Sequence, residues 1–307
     1  MSAAIQESES DTMYYCANCG VAGGDDIKLK KCTACHLVRY CGVKCQKEHW
    51  SQHKRACKKR AAELRDELLF KQPEGTHLGD CPICCLPVPI EQTKSTLNVC
   101  CSKRICNGCD HANKLREYDG RLLHKCPFCR KKLPDTQEEA DVQRMKRVEA
   151  NDPTAICHMG SKRNHEGDNN AAFEYWTRAA DLGDAEAHYQ LSNLYRDGEG
   201  VLKDEKRERH HLTVAAIGGH PVARHNLACM EGGNGQHNRA AKHFIIAAKL
   251  GYDKSLKCVK EMYKAGVVSK EDFGTVLRGY QAAIEATKSP QREEVSIFLA
   301  ERKRRGI

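Results

Sequence analysis

No stretch of the 307-residue chain approaches the roughly 18 consecutive apolar residues that a membrane-spanning helix needs. The opening MSAAIQESESDT is acidic and polar, the opposite of a secretory signal. Neither membrane insertion nor secretion is therefore expected. The expected location is the cytoplasm, with the nucleus also open, where thiols stay reduced and disulfides are rare. A glycine-rich phosphate loop, a nucleophile elbow and an open three-ligand zinc set are all missing, which removes the usual signatures of catalysis. Cysteine is scarce in the back half, where only Cys157, Cys229 and Cys258 occur.

The front is the reverse. Sixteen of the nineteen cysteines precede residue 130, and in a reducing compartment that density reads as metal sites. The formal charge of +9 must then be corrected, because zinc ligation deprotonates thiols. With four zincs and about fifteen thiolates it falls to roughly +2, and nucleic acid is not the expected partner. A basic helix after Trp50 is the one local exception; nucleic-acid binding through it would fall steeply with salt. Its cluster HKRACKKR, His53 to Arg60, reads first as a solvated face and second as a nuclear-import or phosphate patch.

Residues 16 to 57 contain Cys16-x2-Cys19, Cys32-x2-Cys35, Cys41-x3-Cys45 and His53-x3-Cys57. Eight ligands suffice for two tetrahedral zinc sites. His49 competes with His53 but lies two helical turns from Cys57, too far to share an ion. With Tyr40, Gln46 and Trp50 in their places, the segment resembles a MYND zinc finger. The resemblance implies interleaved sites, Cys16, Cys19, Cys41 and Cys45 in one and Cys32, Cys35, His53 and Cys57 in the other. It also implies a groove near Gln46 and Trp50 for proline-containing peptides, although Trp50 could equally be the core of so small a domain.

Cys81-x2-Cys84, Cys106-x2-Cys109 and Cys126-x2-Cys129 form three further knuckles, and residues 80 to 132 resemble a RING finger. The resemblance implies one site of Cys81, Cys84, Cys106 and Cys109. The other would hold Cys126, Cys129 and a Cys/His pair, but that pair maps to Cys101 and Lys103, and a protonated lysine has no lone pair for a metal. Cys100, His111 and His124 compete for the missing position, with Cys100 and His111 narrowly ahead and Cys100 requiring a distorted backbone. The zinc count is four if the site is repaired and three if it is not. In RING fingers the positions of Ile83, Pro127 and Arg130 meet a ubiquitin-conjugating enzyme, so ubiquitin-protein transfer is the one activity the resemblance implies.

Beyond residue 152 the chain repeats. AADLG ends at Gly183, AAIGG at Gly219, AAKLG at Gly251 and a weaker AAIEA at Ala286. Each copy follows a helix-like stretch, the mark of stacked helix pairs that bury a shared face. The pattern resembles Sel-one-like repeats, relatives of the tetratricopeptide family. ARHNLACM, 223 to 230, is similar to a motif of methyltransferases that carry MYND fingers, but it sits in phase with the repeat. The repeat histidines His188, His210, His211, His225 and His243 share no ligand spacing. Cys157, Cys229 and Cys258 read as small buried side chains.

The expected fold is thus two small zinc-stabilised α+β modules followed by an all-α helical-repeat solenoid. The expected boundaries are a disordered tail at 1–12, a MYND-type finger at 13–59 and a linker at 60–79. A RING-like finger at 80–133, a helical linker at 134–151, about four repeats at 152–289 and a basic tail at 290–307 complete it. The expected function is a scaffold or adaptor that binds proteins or proline-containing peptides. The alternative is a ubiquitin ligase whose repeats select the substrate.

Overall fold

The computed structural model describes residues 15–305; the tail expected over 1–12 lies outside them. Among the described residues no helix is long and apolar enough to cross a membrane. The chain divides into two compact units, Met1–Leu69 and Phe70–Ile307.

In the first unit a two-residue hairpin, β1 (Lys30–Lys31) with β2 (Arg39–Tyr40), precedes one long helix, α1 (Val43–Leu69). The buried cluster here is Cys16, Cys32, Cys35, Tyr40 and Cys57. Four of its five members are sulfur side chains, and the aliphatic residues against them, Ala17, Val21, Leu29 and Val38, are only partly buried, so the hydrocarbon core among the described residues is small. The linker expected from residue 60 is in fact helical to Leu69. Arg60 pairs with Glu63 and Glu67 along its surface, and Leu69 at its end is buried.

The second unit opens with a cysteine-rich module. Its hairpin of β3 (Ser95–Asn98) and β4 (Lys103–Cys106) feeds directly into α2 (Asn107–Asp119). The remainder is helical: α3 (Gln137–Glu149), then four helix pairs. The pairs are α4 (Pro153–His165) with α5 (Asn169–Asp181), α6 (Ala185–Asp197) with α7 (Glu205–Ile217), α8 (Pro221–Gly233) with α9 (His237–Lys249), and α10 (Asp253–Lys264) with α11 (Lys270–Ala286). Local chemistry sets most helix starts. Asp152, Asp168, Asp184 and Asp204 each accept a first-turn N–H of the helix that follows, satisfying a donor that the helix cannot. His220 performs the same role for α8 through Nδ1.

The repeat core is built from alanines that let helices approach and a few large residues that fill the gaps. Ala172, Ala179 and Ala187 are fully buried around Trp176, whose indole N–H donates to the Cys157 carbonyl at 3.1 Å. The closest fit is at Gly160, where an added Cβ would stand 2.6 Å from the Trp176 ring. Gly160→Val is expected to destabilise the repeats by about 2–3 kcal/mol, because overpacking here outweighs any gain in helix propensity. Thermal unfolding followed by Trp176 fluorescence checks this; an unchanged midpoint would show that the indole has room to move.

Several expected features differ in the structure. Cys157 is buried as expected, but Cys229 is exposed and Cys258 half-buried. Residues 70–79 are no free linker. The Phe70 ring lies against His243 with Arg239 and Lys242 over it, and the His77 N–H donates to Gly219 at 3.1 Å. Gly219 has φ +80°, and a Cβ there would meet the Gly75 carbonyl at 2.6 Å. Residues 290–304, read as a tail, form α12 (Pro290–Arg304), which packs on α2. Gly108 allows that contact, since a Cβ there would lie 2.9 Å from the Arg292 nitrogen.

Candidate metal centres

Four Cys-x-x-Cys turns share one backbone plan. The N–H of the leading cysteine donates forward, Cys16 to Val21, Cys32 to Val38, Cys81 to Leu86 and Cys126 to Lys131. The residue four positions on donates back to that cysteine's carbonyl, from Gly20, His36, Cys85 and Arg130, at 2.8 to 3.0 Å. All four returning residues are left-handed, with φ of 72°, 59°, 56° and 63°. Only the first is glycine; the other three conformations cost about 1–2 kcal/mol each. A structural zinc ion, worth about 10–16 kcal/mol in small domains, readily offsets that strain.

The turns also aim backbone N–H groups at sulfur. Burial pushes the Cys16 thiol up, but N–H groups of Cys19, Cys41 and Asn18 outweigh it and bring it down to about 6. Cys32 falls to about 6 against its burial, through the Cys35 N–H and His53, and Cys81 to about 7 through the N–H groups of Cys106, Cys84 and Ile83. Later thiols in the same groups move the other way. Burial and then the Cys32 and Cys35 sulfurs push Cys57 up to about 12. Convergent sulfurs of this kind need a cation to ionise together.

The structure brings the sixteen ligand candidates into four groups, each with its donor atoms within 4.8 Å of one another. Cys16, Cys19, Cys41 and Cys45 form the first, and Cys32, Cys35, His53 and Cys57 the second. Cys81, Cys84, Cys106 and Cys109 form the third, and Cys100, Cys101, Cys126 and Cys129 the fourth. Tetrahedral zinc with bonds of about 2.3 Å places neighbouring sulfurs about 3.8 Å apart. The observed separations fit, at 3.6 Å for Cys19–Cys41, 3.7 Å for Cys32–Cys57 and 3.8 Å for both Cys84–Cys106 and Cys101–Cys126. His53 presents Nε2 to Cys35 at 3.3 Å, while His49 is spent on the Tyr40 hydroxyl at 3.0 Å.

The fourth group shows what replaces the histidine. Cys100 and Cys101 occupy the turn between β3 and β4, where Asn98 accepts the N–H of both Cys101 and Ser102. Ser102 is left-handed at φ 54°, the distortion that lets adjacent cysteines face one point. Cys100 Sγ lies 3.4 Å from Cys129. Lys103 starts β4 opposite Asn98 and is exposed. The two histidine candidates are engaged elsewhere, His111 against the Phe298 ring and His124 with the Glu117 carboxylate at 2.7 Å.

Two features had no sequence signal. The buried Arg292 of α12 donates to the Leu86 and Pro87 carbonyls at 3.2 and 2.8 Å, to Thr287 at 2.7 Å and to Cys84 Sγ at 3.3 Å. It supports the third cysteine group from more than 200 residues away. A fifth group, His77, Glu186 and His220, also has converging donors. There the Ala223 N–H occupies His220 Nδ1 at 3.1 Å. The neutral ring therefore carries its proton on Nε2, which faces Glu186 at 3.1 Å and has no lone pair left for a cation. With His77 stacked on His220 at 4.1 Å, this group fastens residues 70–79 to the repeats.

Among the expected partner contacts, Trp50 is exposed and Gln46 half-buried one turn earlier on α1. Ile83 and Arg130 are exposed, but Pro127 is buried. The proline following Cys126 turns into the module and is not available to a partner.

Residues 16–57 match the family model of the MYND finger, and residues 155–184, 185–220 and 221–252 match the Sel1 repeat. Among curated proteins, the human histone-lysine N-methyltransferase SMYD3 is 52% identical over 31 residues, 10% of this chain and 7% of that protein. The Arabidopsis thaliana histone-lysine N-methyltransferase ASHR1 is 42% identical over 45 residues, 15% of this chain and 9% of that protein. Tudor domain-containing protein 1 of Oryzias latipes is 30% identical over 69 residues, 22% of this chain and 6% of that protein. The matches thus span under a tenth of each relative. A Sel1 repeat protein from Oxalobacter formigenes aligns over 59% of this chain and 72% of its own, at 21% identity and a TM-score of 0.42. The protective antigen c5321 of uropathogenic Escherichia coli, with an SLR fold, aligns over 56% of this chain and 37% of its own, at 18% identity and a TM-score of 0.43. The chain therefore carries a MYND finger at its front and Sel1 repeats in its back half.

Proposed function

We propose that this protein is an intracellular zinc-built adaptor that holds partner proteins together. The observation that supports this best is the coexistence, in one chain, of a MYND finger and Sel1 repeats, two modules that generally mediate protein–protein contact. Four zinc ions, one in each cysteine-rich group, hold the modules in shape, and Cys100 completes the group that lacks a histidine. Native mass spectrometry is expected to count four zincs in the wild type and three in Cys100→Ser. Three in both would remove Cys100 from the ligand set.

The MYND finger takes proline-containing peptides across Gln46 and Trp50, where Leu37 and Val43 add exposed apolar surface. Trp50 and Trp176 are the only tryptophans, and Trp176 is buried. A change in tryptophan emission on adding a proline-rich peptide therefore reports on Trp50. Loss of binding in Trp50→Ala, read by anisotropy of a labelled proline-rich peptide, is expected; binding unaffected by the substitution would overturn the assignment. The methyltransferase activity named for two relatives is not carried over, because the matched stretches are so short. A second reading is recruitment of a ubiquitin-conjugating enzyme, supported by the exposure of Ile83 and Arg130 and opposed by the burial of Pro127. Autoubiquitination lost in both Ile83→Ala and Arg130→Ala would establish it.

A further inference from the structure

The second unit contains an open groove of 880 Å³ between the Pro87–Glu91 loop of the RING-like module and helices α10 and α11. Its walls are apolar. Ile90 from the loop and Ile284 from α11 converge over Gly251, their methyls 3.8 and 3.6 Å from where a Cβ would stand. Tyr252 and Tyr280 line it further, supplying large, rigid and partly polar contact surfaces of the kind that partners anchor on.

The front of the loop has little backbone to offer a ligand. Pro87 and Pro89 have no N–H, the Val88 N–H is given to Gly79, and the Leu86 and Pro87 carbonyls each accept from Arg292. Side chains of the groove are the main means of recognition.

Three lysines and three carboxylates line the groove, but they are unevenly paired. Lys94 is paired with Glu91, and Asp253 with Lys257. Lys249 and Lys254 line the groove with no carboxylate partner among the described residues, against one unpaired acid, Glu74. The Lys249 stem is held in place by Gly279, where a Cβ would come within 2.9 Å of its Cγ. Two free cations beside an apolar trough are complementary to a carboxylate placed next to a large apolar side chain.

We infer that this groove docks an extended segment of a partner protein in which acidic residues alternate with apolar ones. The inference deepens the adaptor reading, on which it rests, by naming the chemistry of one partner. The apolar side chains lodge between Ile90, Ile284 and the two tyrosines, and the carboxylates reach Lys249 and Lys254.

The test uses the full chain and a short fluorescein-labelled peptide alternating glutamate with leucine and phenylalanine, read by anisotropy. A second peptide has lysine in place of each glutamate. The glutamate peptide is expected to bind, the lysine peptide is not, and Lys249→Glu with Lys254→Glu is expected to weaken binding at least about tenfold. Lys254 is exposed and Lys249 only half-buried along its stem, so circular dichroism should show the double variant folded. Gly279→Val, which dislodges the Lys249 stem without changing charge, is expected to weaken binding as well. Equal binding of the two peptides, wild-type affinity in the double variant, or no binding would each overturn the proposal. A proline-rich peptide run in parallel separates the two readings. If it binds and the glutamate peptide does not, the groove assignment fails alone; if neither binds, the adaptor reading fails with it.

Discussion

A chelator strong enough to strip zinc should abolish tertiary structure in residues 16–57 and 81–129 while leaving the repeats folded. The reason lies in what is buried. The first unit has one non-cysteine residue in its core cluster, Tyr40. In the RING-like module the buried cluster is five cysteines with Val88 and Ile105. Without metal these thiols provide little hydrophobic drive, and three of the four knuckles keep a strained left-handed residue. Removing a contribution of about 10–16 kcal/mol per structural zinc exceeds the stability of any domain this small. The repeats have no such dependence, since Ile156, Leu191, Leu212, Leu227 and Val259 are buried among alanines. Limited proteolysis in the presence of chelator should cut both cysteine-rich segments and spare a fragment covering residues 153–286. Amide signals that stay dispersed in the front segments after complete zinc removal would refute this.

The second large effect should come from Arg292→Ala. That side chain is 7% exposed and its guanidinium satisfies three carbonyls and the Cys84 sulfur. Truncation leaves those acceptors without this donor and removes a buried cation from beside the Cys84 sulfur. The expected loss is about 3–5 kcal/mol in the contact between α12 and the module. Hydrogen exchange across residues 81–88 and α2 should accelerate, and zinc should transfer faster to a competing chromophoric chelator. Arg292→Lys should recover little, because one ammonium cannot span four acceptors in the plane that the guanidinium occupies. An Arg292→Ala protein with wild-type zinc-transfer kinetics would reduce the residue to a packing role.

Much of the architecture was readable before any coordinates because it is set within a few residues. A Cys-x-x-Cys turn closes on itself wherever the rest of the chain goes. The recurrence of Ala-Ala with a following glycine gave the repeat period for the same reason. The chemistry of lysine removes position 103 from the ligand candidates, but spacing does not choose between Cys100, His111 and His124. That choice depends on α12 bringing Phe298 against His111 of α2, and on a left-handed serine in a hairpin turn. The acidic Glu117 that holds His124 is equally invisible to any motif.

The amino-acid sequence alone determined that this is a cysteine-built front joined to a helical-repeat back, because metal ligands and helix faces follow short, fixed spacings. Tertiary structure alone decided that residues 70–79 and α12 fasten the second cysteine-rich module to the repeats. Those contacts join residues as distant as Cys84 and Arg292, or His77 and His220. Their energies come from burial and hydrogen bonds that exist only once the intervening chain has folded.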